Sequence, residues 1–270
     1  MRADRPSSTA RLIAAATVFL SRDRRYADLV PAGAAEICAR CLSPAWLAAT
    51  RLRWLPRAAE RATIPGLMLH FMLRKRWIEE AVRGALDRGC RQVVILGAGF
   101  DTLAARLAPQ FPAVQFIEVD HPATQAPKRA AVQHGNLQFV AADLARIPLA
   151  QALSASTHKA GERSVFVLEG LLMYLSAEQV SALFAAIGNE AVFTVMEPMP
   201  SGRIAFHNAT WVERALLALW KEPFRWAVPR DRLPQFFPGW QLRAVADLAA
   251  ERPQLRLARG EILVHATRNA

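Results

Sequence analysis

Four carboxylates in this chain share one kind of position. Asp120, Asp143, Glu169 and Glu197 each follow an apolar run of strand character, while a fifth run, Val93-Val94-Ile95-Leu96, ends in Gly97-Ala98-Gly99. In an open α/β sheet the carboxyl ends of the strands line one edge, and ligands bind there. Acids gathered along such an edge repel one another unless a ligand draws them, so the pattern points to a cationic ligand with hydrogen-bond donors. Asp120 lies about 20 residues beyond the glycine turn, the spacing of an acid that holds the two hydroxyls of a ribose. Each of these acids has a plainer role open to it as the N-cap of a following helix.

The glycine turn narrows the ligand. Gly97 and Gly99 remove Cβ atoms where backbone passes close to a ligand. A dinucleotide fingerprint wants a third glycine, and a helix start that welcomes pyrophosphate; this chain has Thr102 there, with a carboxylate at Asp101. That combination favours a nucleoside without phosphate. S-adenosylmethionine has a ribose, no phosphate, and positive charge on its ammonium and sulfonium. On that reading Asp143 accepts from the adenine amino group while the Leu144 amide donates to the ring, and Glu169 lies beside the methionine ammonium. Tyr174 either lines the same pocket or is a core tyrosine.

The elements that must position these residues alternate. Strands are predicted over Gln92–Leu96, Gln115–Val119, Leu137–Ala141, Ser164–Leu168 and Ala191–Met196 with helices between them, implying a parallel sheet with right-handed crossovers. Gln241–Ala246 and Glu261–Thr267 follow without a long intervening helix, as an antiparallel closing hairpin would. Ahead of the sheet, Ala10–Leu20, Ala32–Cys41 and Met68–Leu86 read as helices punctuated by Pro31, Pro44 and Pro56; residues 1–9 read as loose. The fold class expected is α/β, a class I methyltransferase Rossmann-like sheet, mostly parallel with an antiparallel C-terminal hairpin, preceded by an N-terminal helical region. The boundaries expected are 1–90 for the helical region and 91–270 for the core, with an aromatic-rich substrate cap at about 201–235.

At these residues the chain resembles the leucine carboxyl methyltransferase-like group of S-adenosylmethionine-dependent O-methyltransferases, including its bacterial small-molecule members. The matching segments are Gln92 to Thr102, Phe116-Ile117-Glu118-Val119-Asp120-His121-Pro122 with Lys128-Arg129, Ala142-Asp143-Leu144, and Glu169 to Leu175. They span roughly Arg74 to Glu197, and the combination is far more specific than any one of them. The resemblance implies a helical lid over S-adenosylmethionine, with Gly97, Ala98, Gly99, Asp120, His121, Asp143, Leu144 and Glu169 about it. It also implies an arginine aimed at the methionine carboxylate, for which Arg74 is the first choice and Arg76 the second. A carboxylate acceptor needs no base; a hydroxyl would, with Glu197 or His207 as candidates, and Arg203 is a candidate clamp for a carboxylate.

Composition bounds the alternatives. The 270 residues are 53% hydrophobic, enough for one large core. The net charge of +11 raises an RNA-directed enzyme as an alternative, but the arginines are scattered and not interleaved with aromatics, which disfavours a nucleic-acid groove. A nucleotide-fold oxidoreductase is the other alternative. Three cysteines make no disulfide framework, and Cys38-x-x-Cys41 lacks the further ligands of a metal site, so no metal is expected. Leu12–Leu20 is too short to span a bilayer, and Ser21-Arg22-Asp23-Arg24-Arg25 replaces a signal cleavage site. A cytoplasmic protein with a small-molecule or peptide substrate and no membrane partner is expected, with a homodimer open.

Overall fold

The protein is described here by a computed structural model, which covers residues 7–52, 54–220 and 222–268. Five helices come first: α1 (Ser8–Leu20), α2 (Ala34–Cys41), α3 (Pro44–Arg51), α4 (Trp54–Thr63) and the long α5 (Leu67–Asp87). The chain then alternates through β1 (Gln92–Leu96), α6 (Leu103–Leu107), β2 (Gln115–Asp120), α7 (Pro122–Ala131), β3 (Leu137–Ala141), α8 (Leu149–Ser154), β4 (Ser164–Leu168), α9 (Ala177–Ala186) and β5 (Glu190–Met196). It closes with α10 (Trp211–Trp220), β6 (Trp240–Ala246) and β7 (Glu261–Arg268).

One seven-stranded sheet results, in the order β3-β2-β1-β4-β5-β7-β6, with β1 to β5 parallel and β7 antiparallel to both neighbours. The β-branched and aromatic runs dictate this arrangement. Val93 to Leu96 and Val165 to Leu168 are buried on both faces, which requires helices above and below. One core layer joins Val94, Phe166 and Phe193 to Phe184 and Phe237, and the other joins Ile95 and Val167 to Ile78, Val82 and Leu107. The chain order reverses between β1 and β4, placing the ligand crevice at their carboxyl ends.

Of the N-terminal helices, α1 and α5 border that crevice, through Thr9, Ala10 and Ile13 and through Phe71, Arg74 and Lys75. Residues 1–6 lie outside the described residues; Ser8 and Thr9, expected to be loose, instead form the first turn of α1. Two local contacts fix that start: the Ser7 hydroxyl accepts from the Ala10 amide, and Glu222 accepts from the Ser8 and Thr9 amides and the Thr9 hydroxyl. Cys38 and Cys41 pack with Ala14, Val18 and Phe100 in a small apolar cluster, and burial pushes the Cys38 thiol up to about 12. No helix among the described residues is long and apolar enough to cross a membrane.

Candidate functional site

At the carboxyl edge of the sheet lie two adjoining lobes of about 250 and 150 Å³ that share Ser7, Gly97, Asp120, Leu171 and Tyr174. The glycine turn forms their common floor. Gly97 has φ 67°, and a Cβ there would stand 2.9 Å from the Leu171 side chain; Gly99 has φ 51°, with Ala10 of α1 directly above it. The Gly97 amide donates to the Val119 carbonyl, tying the turn to the end of β2.

Asp120 completes β2 at the junction of the lobes. One carboxylate oxygen accepts from the Gly99 amide and the other from the His121 amide. Burial raises its pKa, against the pull of those two amides. A carboxylate offers about four lone-pair positions, so roughly two stay free for a ligand. His121 caps α7, its Nδ1 accepting from the Ala123 amide, and borders the larger lobe. Asp143 and Leu144 border the same lobe, and Asp143 Oδ1 accepts from the Ala145 amide.

The smaller lobe is charged at one end and apolar at the other. Arg74, on α5, donates from Nε to Glu169 at 2.9 Å and from Nη1 to Glu261 at 2.9 Å, and its guanidinium lies over the Phe71 ring. Lys75 reaches Asp101 at 2.6 Å and Glu169 at 3.2 Å. His70 Nε2 meets Glu261 at 2.7 Å. The network thus sets three carboxylates, Asp101, Glu169 and Glu261, against Arg74, Lys75 and His70. Burial opposes ionisation of Asp101 and Glu261; Lys75 nevertheless holds Asp101 well below the carboxylate range, and Arg74 with His70 brings Glu261 to about 2. The apolar end is built from Ile13, Phe71, Met173, Phe206 and Phe224 beside Tyr174. Burial raises the Tyr174 phenol pKa, keeping it neutral.

The Glu261 interaction makes stability depend on acid. Its pKa is lowered on folding, so its contribution is fully present above its ordinary 4.5 and is lost as pH falls toward 2. Urea unfolding is expected to show stability dropping through that window. Glu261→Gln should be less stable at neutral pH with a flatter acid limb; an unchanged limb would mean that Arg74 is held by other contacts.

Of the predicted residues, Gly97, Ala98, Gly99, Asp120, His121, Asp143, Leu144, Glu169, Arg74 and Tyr174 border the two lobes. Glu197, His207 and Arg203 do not border either. Glu197 Oε1 accepts from the Arg230 amide, its carbonyl meets His207 Nε2, and Arg203 is exposed. Arg76, the second choice for the carboxylate-facing cation, is exposed and donates to the Asp28 carbonyl; Lys75 turns inward instead. The aromatic stretch divides: Phe206 and Phe224 reach the smaller lobe, Trp226 enters the core beside Phe237, and Trp211 is exposed. Lys75, Asp101, Glu222 and Glu261 contribute beyond the predicted set. Glu261 announces itself only as an acid opening an apolar strand, and Glu222 carries no local signal.

A model of the leucine carboxyl methyltransferase family matches residues 9–188. A Frankia alni protein named as an S-adenosyl-L-methionine-dependent methyltransferase is 32% identical over 202 residues, covering 67% of this chain and 68% of that one. A Streptomyces coelicolor protein so named is 36% identical over 127 residues, 44% of each chain, so the match spans less than half of that relative. The crystal structure of an S-adenosylmethionine-dependent methyltransferase from Mesorhizobium loti superposes with a TM-score of 0.50 at 20% identity, covering 72% of this chain and 98% of that one, and shares the fold.

Proposed function

We propose that this chain, which belongs to the leucine carboxyl methyltransferase family, uses S-adenosylmethionine to methylate oxygen on a small metabolite or peptide end, with a carboxylate favoured over a hydroxyl. Family membership sets aside the oxidoreductase alternative. The observation that carries the reading is the position of Asp120 at the joint of two lobes, one bordered by Asp143 and Leu144 and the other by Arg74 and Glu169. A nucleoside with an amino-acid tail has that shape, with its ribose between base and tail.

When bound, the cofactor supplies a methyl group activated by its sulfonium. Asp120 would hold the ribose hydroxyls and Asp143 with the Leu144 amide the adenine, while Arg74 and Glu169 would meet the carboxylate and ammonium of the tail. The glycine turn lets the backbone come close beneath. Residues 1–90 would act as the lid and 201–235 as the cap, with α1 and Phe206 and Phe224 excluding water. Displacement from sulfonium disperses charge, so alignment and dryness supply much of the rate. A carboxylate acceptor arrives ionised and asks no proton transfer of walls made from Ile13, Phe71, Met173 and Phe224. For a hydroxyl acceptor, Glu197 or His207 would have to serve as base, and neither borders the lobes.

Products formed with methyl-tritiated cofactor from a panel of carboxylic acids, phenols and alcohols test this. A methyl ester releases volatile methanol in mild alkali, and that release is the expected result. Label that survives alkali as an ether would shift the acceptor to a hydroxyl, and label on nitrogen would overturn the reading.

A further inference from the structure

Helix α10 is built inside out. Its sequence is WVERALLALW, yet its one buried residue is the carboxylate Glu213, while Trp211 is 71% and Leu219 64% exposed. Neither Glu213 carboxylate oxygen has a hydrogen-bond partner among the described residues, and burial raises its pKa, favouring the neutral form. The neighbouring α4 buries none of its residues and exposes Trp54 by 67%, with Leu52 half exposed just before it. The two helices meet where the Thr210 amide donates to the Thr63 carbonyl at 2.8 Å.

The outward faces of the pair are selective in charge. On α4, Trp54, Ala58 and Arg61 are exposed at i, i+4 and i+7; on α10, Trp211, Arg214, Ala215 and Ala218 follow the same spacing. Both acids turn away: Glu60 accepts from the Met68 amide, and Glu213 is buried. Arg51 is exposed beside Leu52. Two tryptophans, leucines, small residues and arginines with no exposed acid among them form the composition that suits an anionic lipid interface, where indole rings sit at headgroup level and guanidinium groups meet phosphate. A second copy of this chain would bring arginine against arginine on a protein already at +11, so self-association is the poorer match.

We infer that the α4–α10 face docks peripherally on an anionic membrane surface. This goes beyond the reaction proposed above and does not depend on it. The position makes chemical sense: two residues past α10, Glu222 fastens the start of α1, and Phe224 borders the apolar lobe. A lipid-facing α10 would therefore stand next to residues that line both lobes.

Vesicle co-sedimentation of the whole protein tests the inference, using phosphatidylcholine alone and phosphatidylcholine mixed with phosphatidylglycerol. Binding is expected to the anionic vesicles and to weaken with salt. Trp54→Ser with Trp211→Ser should abolish it, and neutralising Arg61 or Arg214 should weaken it about fivefold each. Cofactor affinity and melting temperature of these variants should stay at the parent values, since all four side chains are exposed. No sedimentation with anionic vesicles, or sedimentation indifferent to the double tryptophan variant, would overturn the inference. So would a concentration-dependent dimer that the double variant abolishes in the absence of vesicle binding, which would assign the face to a second copy.

Discussion

Asp120→Asn is expected to weaken binding of S-adenosylmethionine and its demethylated product about a hundredfold, equivalent to about 2.7 kcal/mol. The carboxylate would lose its charge and part of its accepting capacity toward two hydroxyls, each such charge-assisted bond being worth about 1.5–3 kcal/mol. The substitution also touches the fold locally. In the parent, one oxygen serves the Gly99 amide and the other the His121 amide; an asparagine can accept only one of these, and its amino group then confronts the other. Calorimetric titration gives the affinity, and thermal melting without ligand gives the local cost. A lowered melting temperature with affinity within threefold of the parent would make Asp120 a brace for the glycine turn and remove it from the cofactor site. A large loss of affinity beside a modest drop in the melting temperature is the expected pattern.

The same residue shows why part of this site was legible in the sequence. Strands β1 and β4 fall at the residues predicted because Val93 to Leu96 and Val165 to Leu168 are buried on both faces, leaving no polar alternation to blur their ends; β3 falls where predicted as well, although it is only partly buried. Once the strand ends are fixed, the acids after them share one edge by topology alone. What depends on helix rotation was less legible. Arg74, Lys75 and Arg76 are consecutive on α5, and only packing decides that the first two face Glu169 while the third meets solvent. Glu261 lies more than 180 residues from Arg74 in the chain and joins it because β7 inserts beside β5. The aromatic stretch after β5 reads as one substrate cap, yet Phe206, Trp211 and Trp226 reach three different environments. Periodicity identifies an apolar face without saying what lies opposite.

The largest effect on stability is expected at Lys128, which the family-like motif contains but no local pattern explains. Lys128 on α7 and Glu118 on β2 are both fully buried and form an ion pair two residues before Asp120. Burial raises the Glu118 pKa to about 7 even with Lys128 beside it. Lys128→Met would leave that carboxylate in an apolar interior with no counter-charge, a change that costs about 3–5 kcal/mol when a buried pair loses one member. Because the Glu118 pKa is raised on folding, its favourable contribution is complete below its ordinary 4.5 and fades as pH climbs through about 7. Lys128→Met should move that fading to higher pH, so the variant loses least near pH 5 and most near pH 9. Adding Glu118→Gln should recover most of the loss at high pH, since the double variant buries no charge there. Urea unfolding of the four proteins across pH closes the cycle. A Lys128→Met penalty below about 1 kcal/mol, or a double variant no more stable than the single one, would show that α7 is held to β2 by its apolar contacts and by Gln125, whose side-chain amide donates to the Glu118 and Val140 carbonyls.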